Sequence, residues 1–335
     1  MATKQPFTAY CGQQAFTSLQ NLWGSRNPSV ELAPLPATSA ERLNSTNAEK
    51  TILYLAYGSN LSAETFSGNR GVKPISACNV HVPSLTLTFD LPGIPYTEPC
   101  FANTRYASPP PISTSDYHKD RWHKGLIGVV YEVTPEDYRT IVATEGGGAT
   151  YQDVIVPCYA IPPGSKSVHH VPAGAPFSAH TLMRPVPSDE EKGDIRTNDG
   201  VVRPDPSYAQ ASARYLRLIT SGAEEHELPE EYMAYLYSLR PYTITSARQR
   251  AGHALIAAVW MPILLFLLGL GKVFANDQGE VPSWLAIILG LVMTGMWQSY
   301  DRVLKKNFGD GERTTGEEKR EEGESEWCEK SVRLA

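Results

Sequence analysis

The sequence predicts an α+β domain followed by a helical hairpin that spans a membrane. Strand-like runs rich in β-branched and aromatic residues recur between Ile52 and Met183. Two helices follow these runs instead of alternating with them, which points to α+β and away from a doubly wound sheet. Past Arg250 the composition turns apolar over two stretches, each long enough as a helix to cross a bilayer.

The 335 residues suffice for one large or two modest domains, and the formal net charge is −6. No Lys/Arg-rich run stands out, which argues against nucleic acid as a partner. The five cysteines (Cys11, Cys78, Cys100, Cys158 and Cys328) are odd in number, widely scattered and without a C-x-x-C or Cys/His spacing. Neither a disulfide framework nor a structural zinc site is indicated, and no metal or cofactor is expected.

Residues 1–48 are rich in Ser, Thr, Asn, Gln and Pro without a hydrophobic period, and are expected to be mostly disordered. No apolar h-region follows Met1, so no secretory signal peptide is expected. The folded domain is expected over residues 49–246. Its first strand, Ile52–Ala56, breaks at Tyr57-Gly58-Ser59-Asn60-Leu61 into a helix start, with Asn60 or Ser62 as N-cap. Backbone N–H groups converging there, before a helix dipole, favour an anion, either phosphate or carboxylate.

Further strands are expected at 75–82, 84–90, 125–133, 151–161 and 177–183. Thr134-Pro135-Glu136-Asp137 reads as N-cap, N1 proline and N3 acid, so a helix is predicted from Pro135 to about Thr144, ended by Gly146–Gly148. The proline-bearing residues 91–123 read as an irregular stretch, and residues 184–206 as a surface insertion. Helices are predicted over about 207–221, stopped by Gly222, and about 229–239, started by Pro229.

The apolar stretches 254–274 and 283–300 form the predicted transmembrane hairpin. Trp284, Trp297 and Tyr300 fall where interfacial aromatics belong. Arg248 and Arg250 precede the first span, and Arg302, Lys305 and Lys306 follow the second, where contact with lipid head groups is expected. The positive-inside rule then places both chain ends, and with them the folded domain, in the cytosol. Residues 301–335 mix acids and bases with little apolar content and read as a disordered charged tail.

Glu145 is the leading candidate for chemistry. A carboxylate at a helix C-terminus faces the negative end of the dipole, which raises its proton affinity toward the range a general base needs. The glycines that follow allow a substrate to approach closely. Other candidates fit less well. His169-His170 lacks an acidic partner for a metal, Gly146–Gly148 lacks the Lys-Ser/Thr of a phosphate loop, and Gly58-x-Asn60 lacks the second glycine of a nucleophile elbow. Tyr208, Tyr215, Tyr232 and Tyr235 lie at helical spacings and read mainly as core.

Tyr57-Gly58-Ser59-Asn60-Leu61 after a first strand, with Glu145-Gly146 ending a later helix, resembles the γ-glutamylcyclotransferases. Pro206-Ser207-Tyr208, Gly222-Ala223-Glu224-Glu225-His226-Glu227-Leu228-Pro229 and Glu231-Tyr232 are similar to that family's closing helices, and the likeness covers roughly residues 51–242. Leu85–Tyr96 and Glu98–Ala102 look most like fungal members associated with gliotoxin-type epidithiodiketopiperazine biosynthesis. The resemblance implies a small mixed β-barrel with flanking helices and release of 5-oxoproline from a γ-glutamyl amide. It further implies Glu145 as the catalytic acid/base. Tyr57, Gly58, Ser59, Asn60 and Leu61 would bind substrate, with Tyr151 lining the same pocket. The Gly-rich spacer between Glu145 and Tyr151, the longer 91–123 and 184–206 segments and the hairpin depart from the family's pattern.

Physical chemistry agrees with that implication. A γ-glutamyl group carries its own nucleophile, the α-amine, which closes a five-membered ring on the γ-carbonyl. Holding it folded gains the effective molarity of an intramolecular reaction. One carboxylate to shuttle protons and a set of N–H groups for the oxyanion complete the requirement. The competing reading is a membrane-anchored module that keeps the pocket and only binds γ-glutamyl ligands or scaffolds.

Overall fold

A computed structural model describes residues 35–45, 50–107, 122–144, 151–184, 203–205, 207–274 and 282–315. A short helix α1 (Ala40–Asn44) precedes β1 (Ile52–Ala56), β2 (Ser76–Val82), β3 (Leu85–Ile94), β4 (Glu98–Tyr106) and β5 (Leu126–Val133). Helix α2 (Pro135–Thr144), β6 (Gln152–Ala160) and β7 (Phe177–Met183) follow, and then α3 (Ala213–Glu225) and α4 (Glu230–Ser238). The C-terminal part holds α5 (Ala247–Phe274), α6 (Ser283–Ser299), a π-turn Tyr300–Leu304 and α7 (Lys305–Phe308).

Five strands close into a barrel in the order β1-β5-β2-β6-β7. Four of its pairings are antiparallel, and β7 closes it by running parallel to β1, with His180 beside Tyr54. The expected small mixed barrel is therefore present. Its core runs through both faces of β1 and β5, where Leu53–Ala56 and Leu126–Tyr131 are all buried, as strands covered on each side must be. Phe66 stacks on Tyr131 at 4.4 Å and caps this core.

The strands fall close to their expected positions, and Thr134 caps α2 as expected, with Asp137 N donating to its hydroxyl at 3.0 Å. Several expectations change. The first part of the 91–123 stretch is not irregular: β3 and β4 form a two-stranded ribbon of their own, with Leu85, Leu87, Phe89 and Leu91 buried in alternation. Its turn turns on Tyr96, at φ 61°, held by Tyr96 N donating to Gly311 O at 2.7 Å. After Leu61 there is no ordinary helix start but a 3-10 turn, Ser59–Leu61, and a π-turn, Glu64–Asn69. Asn60 is turned inward instead of capping, and Ser62 accepts from Glu64 N at 3.2 Å.

The helix expected over 207–221 begins later, with Ser212 as N-cap accepting from Tyr215 N, and continues through Gly222 to Glu225. Gly222 does not stop this helix. It permits contact with the turn after β1, where a side chain would collide with the Leu61 and Ser62 backbone.

Both presumed disordered ends contribute structure. Ala37 bridges to Ala77, and Arg42 donates to Glu132 at 3.2 Å, so order begins before Thr51. Within the expected 301–335 tail, residues 309–315 form a strap whose Asp310, Glu312 and Thr314 are buried. Arg203, in the expected surface insertion, is buried beneath it, paired with Asp301 and Glu312 and stacked 4.1 Å above Trp297. Residues 1–34, 185–202 and 316–335 lie outside the described set.

Among the described residues one helix is long and apolar enough to cross a membrane, Ala247–Gly271 within α5. The expected second span, α6, is shorter and packs Leu285, Leu289, Met293 and Trp297 against α5 and the ribbon tip.

Candidate active site

The break after β1 builds one side of a pocket. Gly58 leads into the 3-10 turn, whose two hydrogen bonds run from Leu61 N to Gly58 O and from Ser62 N to Ser59 O. Tyr57, Gly58, Ser59 and Asn60 line the pocket, and Tyr54 lies beneath them. Asn60 is fixed by its Nδ2 donating to Tyr54 Oη at 2.9 Å, and Tyr57 by its hydroxyl donating to Leu182 O at 2.7 Å. Five of the sequence-predicted residues thus meet in one place, because Tyr151, at the start of β6, lines the same pocket.

Leu61 does not line it. Its side chain is fully buried in the core, and its carbonyl accepts from the Tyr131 hydroxyl at 3.2 Å. Its contribution is to anchor the turn from behind. With the Tyr131 proton on Leu61 O, the Tyr131 oxygen is left to accept from His226 Nε2, 2.6 Å away. Burial holds this imidazole neutral, its pKa lowered to about 4.

Glu145 lies outside the described residues. In the chain it directly follows Thr144, the last residue of α2, and precedes by six positions Tyr151 in the pocket wall. Helix α2 packs on this side of the barrel through Tyr138, whose ring lies 6.2 Å from Tyr54.

The remaining wall was not legible as a site. Phe101 and Ala102 come from β4, and Arg214, Tyr215 and Leu218 from the first turns of α3. Tyr215 Oη accepts from Ala102 N at 3.2 Å and lies 3.4 Å from where a Cβ on Gly58 would stand, so one hydroxyl joins ribbon, helix and turn. In the sequence Tyr215 is one of four tyrosines at helical spacings, with nothing to set it apart. Tyr232 and Tyr235 are core, stacking around Trp122, and Tyr208 donates to Asp310 at 2.6 Å beneath the strap. Behind Arg214 lies Glu98, 2% exposed, on which burial raises the proton affinity against the pull of Arg214 and Ser212. No cluster of His, Cys, Asp and Glu able to hold a metal occurs among the described residues.

This chain is 34% identical over 265 residues to the γ-glutamyl cyclotransferase gliK of Aspergillus fumigatus, spanning 78% of this chain and 89% of that one. The chain belongs to the γ-glutamyl cyclotransferase family. Another fungal member, aclK of Aspergillus oryzae, is 31% identical over 273 residues, covering 79% of this chain and 91% of the relative. Residues 246–305, which hold α5 and α6, match the family described as the AclK C-terminal domain. A solved γ-glutamyl cyclotransferase aligns with 60% of this chain and 96% of its own, at 19% identity and a TM-score of 0.39. The family assignment rests on the sequence relatives.

Proposed function

We propose that this cyclotransferase releases 5-oxoproline from a γ-glutamyl amide, with Glu145 as acid/base. The observation that carries the reading is the convergence of Tyr57–Asn60 and Tyr151 on one pocket, with Glu145 in the short connection between α2 and Tyr151. Backbone N–H groups of the turn after β1 take the carbonyl oxyanion, and the glutamyl α-amine attacks the γ-carbonyl within the same molecule. Glu145 accepts a proton from the amine and returns one to the leaving nitrogen. Candidate substrates are glutathione, γ-glutamyl peptides and glutathione adducts of secondary metabolites. Full-length protein offered each of these should release 5-oxoproline, and Glu145→Gln should remain folded and release none. Unchanged release by Glu145→Gln would remove that residue from the mechanism.

We further propose that α5 and α6 anchor the enzyme as a two-span hairpin with the barrel in the cytosol. Support comes from large apolar side chains exposed along both helices, including Val259, Phe266 and Leu291. The strap after α6 packs on Tyr96 and Arg203 of the catalytic domain, which supports a hairpin with both ends on the side of the barrel. A chain that crosses once along α5 must then cross back. Resistance to alkaline carbonate extraction supports the anchor, and release into the soluble fraction counts against it.

A further inference from the structure

Among the described residues that line the pocket, Arg214 is the one charged side chain. It stands in the first turn of α3, one residue after the helix start. Its Nε and Nη2 donate to a single oxygen of Glu98, Oε2, at 3.1 and 2.9 Å. The other oxygen of Glu98 accepts from the Ser212 hydroxyl. Glu98 is 2% exposed, while 36% of the Arg214 side chain remains accessible. The guanidinium is therefore clamped along one edge from behind, and Nη1 makes no hydrogen bond among the described residues. Such a fork, held rigid with an edge to spare, is suited to a planar carboxylate.

The pocket offers a γ-glutamyl substrate two kinds of ground. At the turn after β1 it offers backbone and neutral hydroxyl or amide groups, and at Arg214 a positive charge beside the apolar Phe101 and Leu218. We propose that Arg214 reads a carboxylate on the leaving amine, so that the enzyme favours γ-glutamyl peptides and amino acids over γ-glutamyl amines that lack one. Glu98 acts as a positioning residue that fixes the guanidinium. This inference rests on the cyclotransferase reading, in which the glutamyl moiety occupies the turn.

The test uses the full chain and two ligands, γ-glutamylglycine and γ-glutamylethylamide, which differ by that carboxylate. Because Arg214→Gln alone would leave Glu98 buried without a partner, the informative variant is Arg214→Gln with Glu98→Gln, which removes both charges and keeps a hydrogen-bonding pair. It is compared with wild type for kcat/KM and, in a Glu145→Gln background, for binding by calorimetry. The expected result is a loss of about tenfold or more for γ-glutamylglycine, in KM and Kd, with little change for γ-glutamylethylamide. Equal losses for both ligands would mean that Arg214 reads the glutamyl end, and unchanged values for both that it reads neither. Either overturns the proposal. A wild type that binds both ligands and turns over neither would fail the cyclotransferase reading alone, and the binding comparison would still decide the role of Arg214.

Discussion

Gly222 and Leu61 meet backbone to backbone. A Cβ built on Gly222 would lie 2.3 Å from the Leu61 carbonyl carbon and 2.3 Å from the Ser62 nitrogen. Helix α3 is thereby pressed on the turn that forms the pocket, with Tyr215 two turns earlier in the same helix reaching over Gly58. The contact atoms are main chain, which cannot swing aside as a side-chain tip would. Gly222→Ala gains up to about 1 kcal/mol of helix propensity and meets an overpacking cost of about 1–3 kcal/mol or more. We expect a net loss of stability in denaturant unfolding, and a fall in turnover larger than the unfolded fraction explains. A variant as stable and active as wild type would contradict the close approach.

His226 makes stability depend on pH. Its folded pKa, about 4, lies below the ordinary 6.5, so between these values the unfolded chain binds more protons. Its contribution is complete above about pH 6.5 and is lost as pH falls toward 4. From about pH 7.5 to about pH 5 the loss is roughly 2 kcal/mol. His226→Gln, which keeps a donor for the Tyr131 oxygen, should flatten that part of the stability profile. The same slope in wild type and variant would assign the effect to other groups.

Most of the barrel was legible because its strands are short runs rich in β-branched and aromatic residues, and Phe177–Met183 forms where a strand is expected. The turn at Tyr57–Asn60 was legible for the same reason, as a glycine break at the end of a buried strand. The distant half of the site was not. Arg214 and Ala102 carry no local signature, and they reach the pocket only through the packing of α3 and β4 beside the turn. The strap misled for an opposite reason. Gly-Asp-Gly-Glu-Arg-Thr-Thr has the composition of a solvated tail, and what orders it is non-local: Asp310 accepts from Tyr208, and Glu312 holds Arg203. A charged segment loses its reason to be disordered when its partners are already buried and waiting.

Tyr215→Phe removes the acceptor of Ala102 N and leaves that buried N–H without its bond, at a cost of about 1–2 kcal/mol. Because the same hydroxyl lies over Gly58, turnover should fall with only a modest change in melting temperature. Tyr232→Phe is the comparison. Tyr232 is 1% exposed in the core and outside the pocket lining, so its change should leave kcat/KM near wild type. Parallel losses in the two variants would indicate general loosening and no special role for the Tyr215 hydroxyl.

Arg203 ties the strap and α6 to the catalytic domain. Its guanidinium makes bidentate bonds to Glu312 at 2.8 and 2.8 Å and to Asp301 at 2.7 and 2.8 Å, over the face of Trp297. Glu312 is 3% exposed and in Arg203→Ala would keep only Lys305, 3.3 Å away, so the substitution should cost about 2–3 kcal/mol. Arg203→Lys keeps the charge and loses the paired geometry, and it should fall between the two. The Trp297 indole also donates to Gly93 O at 3.1 Å, at the end of the ribbon whose other strand carries Glu98 and Ala102. Loosening the strap should therefore reach the pocket through the ribbon. Limited proteolysis should cut Arg203→Ala in the 309–315 segment much faster than wild type, and its KM should rise although Arg203 is absent from the pocket lining. Faster cleavage with unchanged kinetics would confine Arg203 to holding the helices in place.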